Sequence, residues 1–218
     1  MARPFIIFDV DGVLLNLTKP EEDLFFEPFI EYLRPDLISY DWNSYAVRND
    51  EDILAELVTR HNLPESKAQE IKSEYLKLVA IRNLQAIAID GAAELLQHCS
   101  KFATLGIATA NFIDAAKLRL ERAKLWPYVS AHAFGADGGG AKTEILGRAL
   151  ATLKAPLSEI IYIGDNLNDV EAGLSHHVQF IGFSEDVTRL DSLKQAGATH
   201  LSQNHKTTIK IIGEILKL

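Results

Sequence analysis

From Gly91 onward the chain alternates short apolar runs with amphipathic stretches, and this alternation restricts the possible folds more than any other feature. Residues 103–109, 129–134 and 159–163 read as strands, as do those near 178–183 and 199–201. Residues 112–124 and 142–154 read as helices, followed by others near 167–175, near 188–196 and from about 205 to 217. Strands separated by helices of this length imply right-handed crossovers and a parallel sheet covered on both faces. One more apolar run, Arg3 to Phe8, supplies a short buried strand at the start of the chain.

Between that first strand and Gly91 the pattern changes. From about Asn16 to Ala88 no strong strand is present, and the apolar residues recur at helical spacing. Phe25, Phe29, Tyr32 and Leu33 make one stripe, and Ile53, Leu54, Leu57 and Val58 a second. After the breaker Leu63-Pro64, a third comprises Ala68, Ile71, Tyr75, Leu78 and Val79. The expected organisation is an α/β sheet unit from residues 1–16 and 89–218, with a small α-helical bundle over 17–88 inserted into it.

The chain has 218 residues, and an apolar share of 47% is enough for a real core. The formal net charge of −8 argues against a nucleic-acid partner, since lysine and arginine carry the sequence-independent part of such binding. A single cysteine, Cys99, excludes an internal disulfide framework and suits a reducing compartment. No segment reaches the roughly 18 unbroken apolar residues of a membrane span. Asp9 and Asp11 interrupt the N-terminal apolar run too early for a signal-peptide core. The expectation is a soluble cytoplasmic protein with no membrane partner.

Those two acids are the chemical signal. In a strand, residues i and i+2 point to the same side, so Asp9 and Asp11 can converge beyond the strand tip. Such a pair repels unless a cation or a proton lies between them. Ligands of parallel α/β sheets gather at the carboxyl ends of the strands. Three more predicted elements carry polar residues there: Thr109, Lys142 just inside a helix, and Asp165 with Asp169.

Each is ordinary alone. Asp11-Gly12 is also a turn signal, Thr109 a common strand residue and Lys142 a typical surface lysine. The run Asp165–Asp169 fails the calcium-loop template at Leu167 and Val170. Together they supply acids for a divalent metal, a hydroxyl for an oxyanion and a cation to balance charge. Magnesium prefers a few carboxylate oxygens plus phosphate oxygens, and phosphoryl transfer needs positioning and neutralisation above all. A carboxylate can itself be the nucleophile.

Asp9-Val10-Asp11-Gly12-Val13, Thr109, Lys142 and Gly164-Asp165-Asn166-Leu167-Asn168-Asp169 resemble the four motifs of the haloacid dehalogenase (HAD) superfamily of phosphohydrolases. The resemblance covers the whole chain, because the helical insert is similar to that superfamily's α-helical cap. Lys142-Thr143-Glu144-Ile145-Leu146 is similar to phosphoglycolate-phosphatase-like members. It implies a Rossmann-like sheet and a phosphatase acting on a small phosphorylated metabolite, as a monomer or homodimer. By that resemblance Asp9 attacks phosphorus, Asp11 acts as acid and then base, Thr109 donates to a phosphate oxygen, and Lys142 steadies both Asp9 and the phosphoryl charge. Asp9, Asp11 (through its carbonyl), Asp165 and Asp169 would serve Mg²⁺. Thr109, Ala110, Asn111 and Lys142 would bind phosphate.

Two departures stand out: Asn16 where the family often has an acid, and Ala110 where it often has Asn, with Asn111 one place later. The second acid, Asp11, argues against a dehalogenase. Lys67, Lys72 and Lys77 read as solvated helix-face charges, which argues against a Schiff-base phosphonatase. A sugar-phosphate mutase and a non-catalytic phosphometabolite-binding protein stay open as alternatives. Substrate choice is expected to lie with the Tyr40–Asn49 segment of the cap, with Trp42, Tyr45 and Arg48 as candidates and Arg48 meeting a substrate anion.

Overall fold

Ile6, Ile7 and Phe8 are buried because the strand they form lies between two others. The computed structural model describes residues 3–82, 87–153 and 155–218. Residues 1–2 and 83–86, at an end of the expected sheet unit and within the expected cap, and residue 154, at the end of an expected helix, lie outside it. Among the described residues the strands are β1 (Phe5–Phe8), β2 (Leu15–Asn16), β3 (Ile87–Ala88), β4 (Thr104–Ala108), β5 (Ala133–Phe134), β6 (Ile160–Gly164), β7 (Gln179–Phe183) and β8 (His200–Ser202). The helices are α1 (Lys19–Leu24), α2 (Asp50–Arg60), α3 (Ser66–Ile81), α4 (Ala92–Cys99), α5 (Ile113–Arg122), α6 (Trp126–Val129), α7 (Lys142–Thr152), α8 (Leu167–Ser175), α9 (Val187–Gln195) and α10 (His205–Leu216).

Six strands form one parallel sheet in the order β5-β4-β1-β6-β7-β8, with helices on both faces. Side chains alternate across it, as a period of two requires. Phe8, Ile107 and Ile163 pack on the side of α4, α5 and α10, whereas Ile7, Ala108 and Tyr162 pack with residues of α7, α8 and α9. The register sets the functional rim. Phe8 pairs with Ile107 on one side and Ile163 on the other, so Asp9 is level with Ala108 and Gly164. The residues that follow them, Thr109 and Asp165, therefore emerge at the same edge as Asp9.

The helical segment has an apolar cluster of its own, built on Phe25, Phe26, Phe29, Ile53, Leu57, Ile71 and Tyr75. Phe112 and Ala115, at the start of α5, belong to the same cluster. A two-stranded antiparallel ribbon, β2 with β3, stands where the chain leaves the sheet unit and where it returns. That ribbon has only two residues a side and left no readable periodicity in the sequence.

The expected strand at 129–134 is a correction. Trp126–Val129 is a helical turn with Pro127 near its start, 130–132 form a 3₁₀ turn, and only Ala133–Phe134 joins the sheet. A short apolar run has no period long enough to separate a strand from a buried turn. Lys72 is a second correction. It is not a solvated charge, because its ammonium lies 2.8 Å from Asp137, 3.2 Å from Glu51 and 3.9 Å from the Phe112 ring centroid.

Candidate active site

Asp9 ends the central strand, and its backbone N–H still donates to Ile163 in the neighbouring strand. One carboxylate oxygen of Asp9 accepts Val10 N–H at 2.7 Å, and the other lies 2.8 Å from Lys142 Nζ. Lys142 is the first residue of α7 and is buried, and it also lies 3.2 Å from Asp169. Oxygens of Asp9, Asp165 and Asp169 all fall within 4.8 Å of one another. Against these three carboxylates stand Lys142, on Asp9 and Asp169, and Arg189, on Asp165, so the trio keeps an excess of negative charge.

The electrostatics follow from that crowding. Burial, reinforced by the Asp169 and Asp165 carboxylates, pushes Asp9 well above the usual carboxylate range, and Lys142 only partly offsets this. Burial and Asp169 push Asp165 up to about 7. Burial opposes charge on Lys142, yet Asp169 and Asp9 hold its ammonium above the ordinary lysine range. A divalent cation is the partner that such a donor set accommodates.

Two glycines let the loops close on each other. Gly12 has φ +75°, and a Cβ there would come within 2.3 Å of the Asp165 carboxylate. A Cβ on Gly164 would meet the Asp169 Cβ at 2.3 Å. The Asp11-Gly12 turn signal is also real, since Gly12 N–H donates to Leu15 and Leu15 N–H to Val10. Asp169 is committed to the protein. It accepts Tyr162 O–H at 2.5 Å, Asn166 N–H at 3.0 Å and Asp165 N–H at 3.2 Å.

Asp11 points to a different set of partners. It accepts Arg119 Nη2 at 2.6 Å and Asn111 Nδ2 at 2.7 Å, and Arg119 Nη1 donates to Asn111 Oδ1 at 3.0 Å. Arg119 also lies 3.5 Å from Glu21 on α1, so one buried guanidinium serves the sheet unit and the helical segment. Thr109 is fully buried, and its Oγ1 accepts from the Asn111 side chain at 3.1 Å. It stands behind the surface that Ala110 and Asn111 present.

These groups open on a cleft of about 600 Å³, walled on the sheet side by Asp9, Asp11, Lys142, Asp165 and Asp169. From the helical segment, Tyr40, Trp42, Arg48, Asp50 and Tyr75 complete it. Trp42 and Arg48 are thus at the cleft, with Trp42 Nε1 and Arg48 Nε buried and without a hydrogen-bond partner among the described residues. Tyr45 is a correction. It packs in the apolar cluster, stacked near Phe26, and its hydroxyl donates to Ser39 O at 2.6 Å. An aromatic ring placed among other aromatics finds more apolar contact inward than at the cleft.

Sequence reasoning passed over Arg119, Arg189 and Asp50. Arg119 had a legible signal, because it shares a face of α5 with Ala115, Ala116 and Leu120, where an unpaired charge would not be tolerated. Arg189 donates from Nε to the Asp165 carbonyl at 2.7 Å, and its Nη2 lies 2.9 Å from the Asp165 carboxylate. Nothing in its exposed helical context marked it. Asp50, at the start of α2, is buried, and that burial pushes its carboxyl up to about 7.

The model of the haloacid dehalogenase-like hydrolase family matches residues 6–183, from β1 through β7. Among curated proteins, no significant sequence match is found. Solved structures of similar fold include a hydrolase from Pseudomonas syringae, 21% identical with TM-score 0.69 over 98% of this chain and 99% of that one. A predicted phosphatase from Clostridium acetobutylicum is 22% identical, with TM-score 0.68 over 100% of both chains. A HAD family hydrolase from Deinococcus radiodurans, solved with bound phosphate and sodium, is 19% identical, with TM-score 0.63 over 100% of this chain and 99% of that one. The match across the sheet, from the strand of Asp9 to beyond Asp169, places the protein: it belongs to the haloacid dehalogenase-like hydrolases.

Proposed function

We propose that the protein is a Mg²⁺-dependent phosphatase that hydrolyses a small phosphate monoester through an aspartyl-phosphate on Asp9. The observation that carries this reading is the meeting of Asp9, Lys142, Asp165 and Asp169 at one rim of the sheet, under a cleft large enough for a metabolite. Asp9 and Asp165, with the carbonyl of Asp11, suit direct ligation of the ion. Asp169, whose oxygens already accept protein donors, suits support from behind. When bound, the ion neutralises non-bridging phosphate oxygens beside the nucleophile.

The chain's own residues supply the remainder. Lys142 holds the Asp9 carboxylate in place at 2.8 Å and offsets the charge that accumulates on the phosphoryl group. Asp11 protonates the leaving oxygen and then takes a proton from the water that attacks the aspartyl-phosphate. Ala110 N–H has no acceptor among the described residues, and together with the Asn111 N–H it suits a phosphate oxygen. Residues 1–16 and 89–218 then act as the catalytic unit, with 17–88 as the cap that selects substrates.

Arg48 supports a finer statement. Of the basic side chains on the cleft, Lys19, Lys142 and Arg189 pair with carboxylates, whereas Arg48 has no such partner among the described residues. A leaving group with its own anionic group would fill that vacancy. Replacing Arg48 with Ala should lower kcat/KM for such esters by about 10- to 100-fold and spare esters with neutral leaving groups. Equal effects on both classes would remove Arg48 from recognition.

The reaction itself is tested with a generic aryl phosphate. Mg²⁺-dependent phosphate release, loss of it in Asp9→Asn, and hydroxylamine trapping of an acyl-phosphate in the native enzyme are the expected results. Full turnover by Asp9→Asn would overturn the proposal. Isomerisation of a sugar phosphate without net phosphate release would favour a mutase instead.

A further inference from the structure

We infer that Asp50, a residue of the helical unit, is a positioning residue for the phosphate-binding turn Ala110–Phe112. The inference rests on the reading above, in which that turn receives the phosphate. Asp50 touches the turn twice and reciprocally. Its backbone N–H donates to Ala110 O at 3.0 Å, and its carboxylate accepts Phe112 N–H at 2.7 Å. Asn111, between these two anchors, is the residue that reaches Asp11.

The backbone polar groups of the turn divide in a telling way. Thr109 N–H goes to Phe134 O and Asn111 O accepts Ala136 N–H, both within the sheet unit. Among the described residues, Ala110 O and Phe112 N–H are satisfied only from the helical unit, through Asp50. Ala110 N–H and, at a long 3.3 Å to Thr109 Oγ1, Asn111 N–H are left for an incoming anion. The groups meant for phosphate are thus held in register by a clamp on the groups beside them. Asp50 is 2% exposed and needs no contact with substrate to do this.

The neighbours of Asp50 extend the same joint to a second turn. Asn49 Nδ2 donates to Gly140 O at 2.8 Å, and Gly140 N–H donates to Asp52 at 2.8 Å, just ahead of Lys142. Asp137 accepts Ile113 N–H at 2.7 Å and pairs with Lys72 of α3. The Gly138-Gly139-Gly140 run, which reads as a flexible loop in sequence, is also held from the other side by Arg148 on Gly139 O. Positioning by hydrogen bond and positioning by charge make opposite predictions at Asp50. Removing a carboxylate beside a phosphate site favours anion binding on charge alone, whereas removing the acceptor of Phe112 N–H loosens the turn.

Binding of inorganic phosphate by calorimetry, with Mg²⁺ present throughout, separates the two. Asp50→Asn keeps an oxygen acceptor and should bind phosphate within about threefold of the native enzyme, whereas Asp50→Ala should bind at least about tenfold more weakly. Asp52→Ala, which loosens the Gly140 contact but not the 110–112 turn, should keep native affinity. If Asp50→Ala does not fold, Asp50→Ser takes its place, since serine also suits a helix N-terminus but cannot extend a carboxylate-length acceptor. Native affinity in a folded Ala or Ser variant, or equal changes in the Asn and Ala variants, would overturn the inference. Absence of phosphate binding by the native protein would instead overturn the functional proposal on which it rests.

Discussion

At the scale of single residues, three cations are divided among the four acids of the site. Lys142 serves Asp9 and Asp169, Arg189 serves Asp165, and Arg119 serves Asp11. Arg119→Ala leaves Asp11 and the buried Glu21 without their shared guanidinium, an unpaired buried charge that typically costs about 3–5 kcal/mol. Denaturant unfolding should show a loss of that size, and Arg119→Lys should recover only part of it because the fork to Asp11 and Asn111 is lost. Gly12→Ala is a purely steric test. It should lower both stability and activity, since φ +75° disfavours alanine and the new methyl would collide with Asp165. The four acids and Lys142 were legible in sequence because strand ends and a helix start place them. Arg189 was not, and Arg119 showed only as a charge on an apolar helix face, because only tertiary packing assigns a long side chain to its partner.

At the scale of elements, α10 fastens the turn that follows Asp9. His205, its first residue, stacks on Phe183 of β7, and its Nε2–H donates to Val13 O at 2.9 Å. Its Nδ1 is buried without a partner among the described residues, which suits the neutral ring, and burial pushes the pKa down to about 4 from 6.5. Between those values the unfolded chain takes up a proton that the folded one refuses, so stability falls as pH drops from about 6.5 towards 4. Above 6.5 the group contributes nothing to the slope. In His205→Gln, the unfolding free energy from urea titrations should decline less steeply from pH 6.5 to 4.5 than in the native protein, by up to about 2–3 kcal/mol. Elements with a longer apolar pattern, such as the helix expected near 167–175, were legible in sequence, and α8 lies there. The β2–β3 ribbon and the 126–134 segment were not, since two to four residues carry no period.

At the scale of the whole molecule, the sheet unit and the helical segment share buried apolar residues and a band of polar contacts around two turns beside the cleft. Mg²⁺ binding should raise the melting temperature, because the three carboxylates gather only in the folded state; at 100 times Kd the gain is about 2.7 kcal/mol. Asp165→Asn should shrink that shift in a thermal-unfolding titration, and an undiminished shift would place the ion elsewhere. The alternation of strands and helices made the parallel sheet legible. The polar band was not, because it joins residues 60 to 91 positions apart through backbone groups that carry no sequence signature.

The central place of β1 has a consequence for synthesis. This strand is made first, yet the two strands that border it begin at Thr104 and Ile160. A nascent chain therefore carries Asp9 on an apolar ribbon with an open edge until β6 has been translated. Fragments ending before β6 would have Asp9 and none of the Asp165–Asp169 turn. They should pair with whatever strand is nearest, and aggregation rather than partial activity is their expected fate.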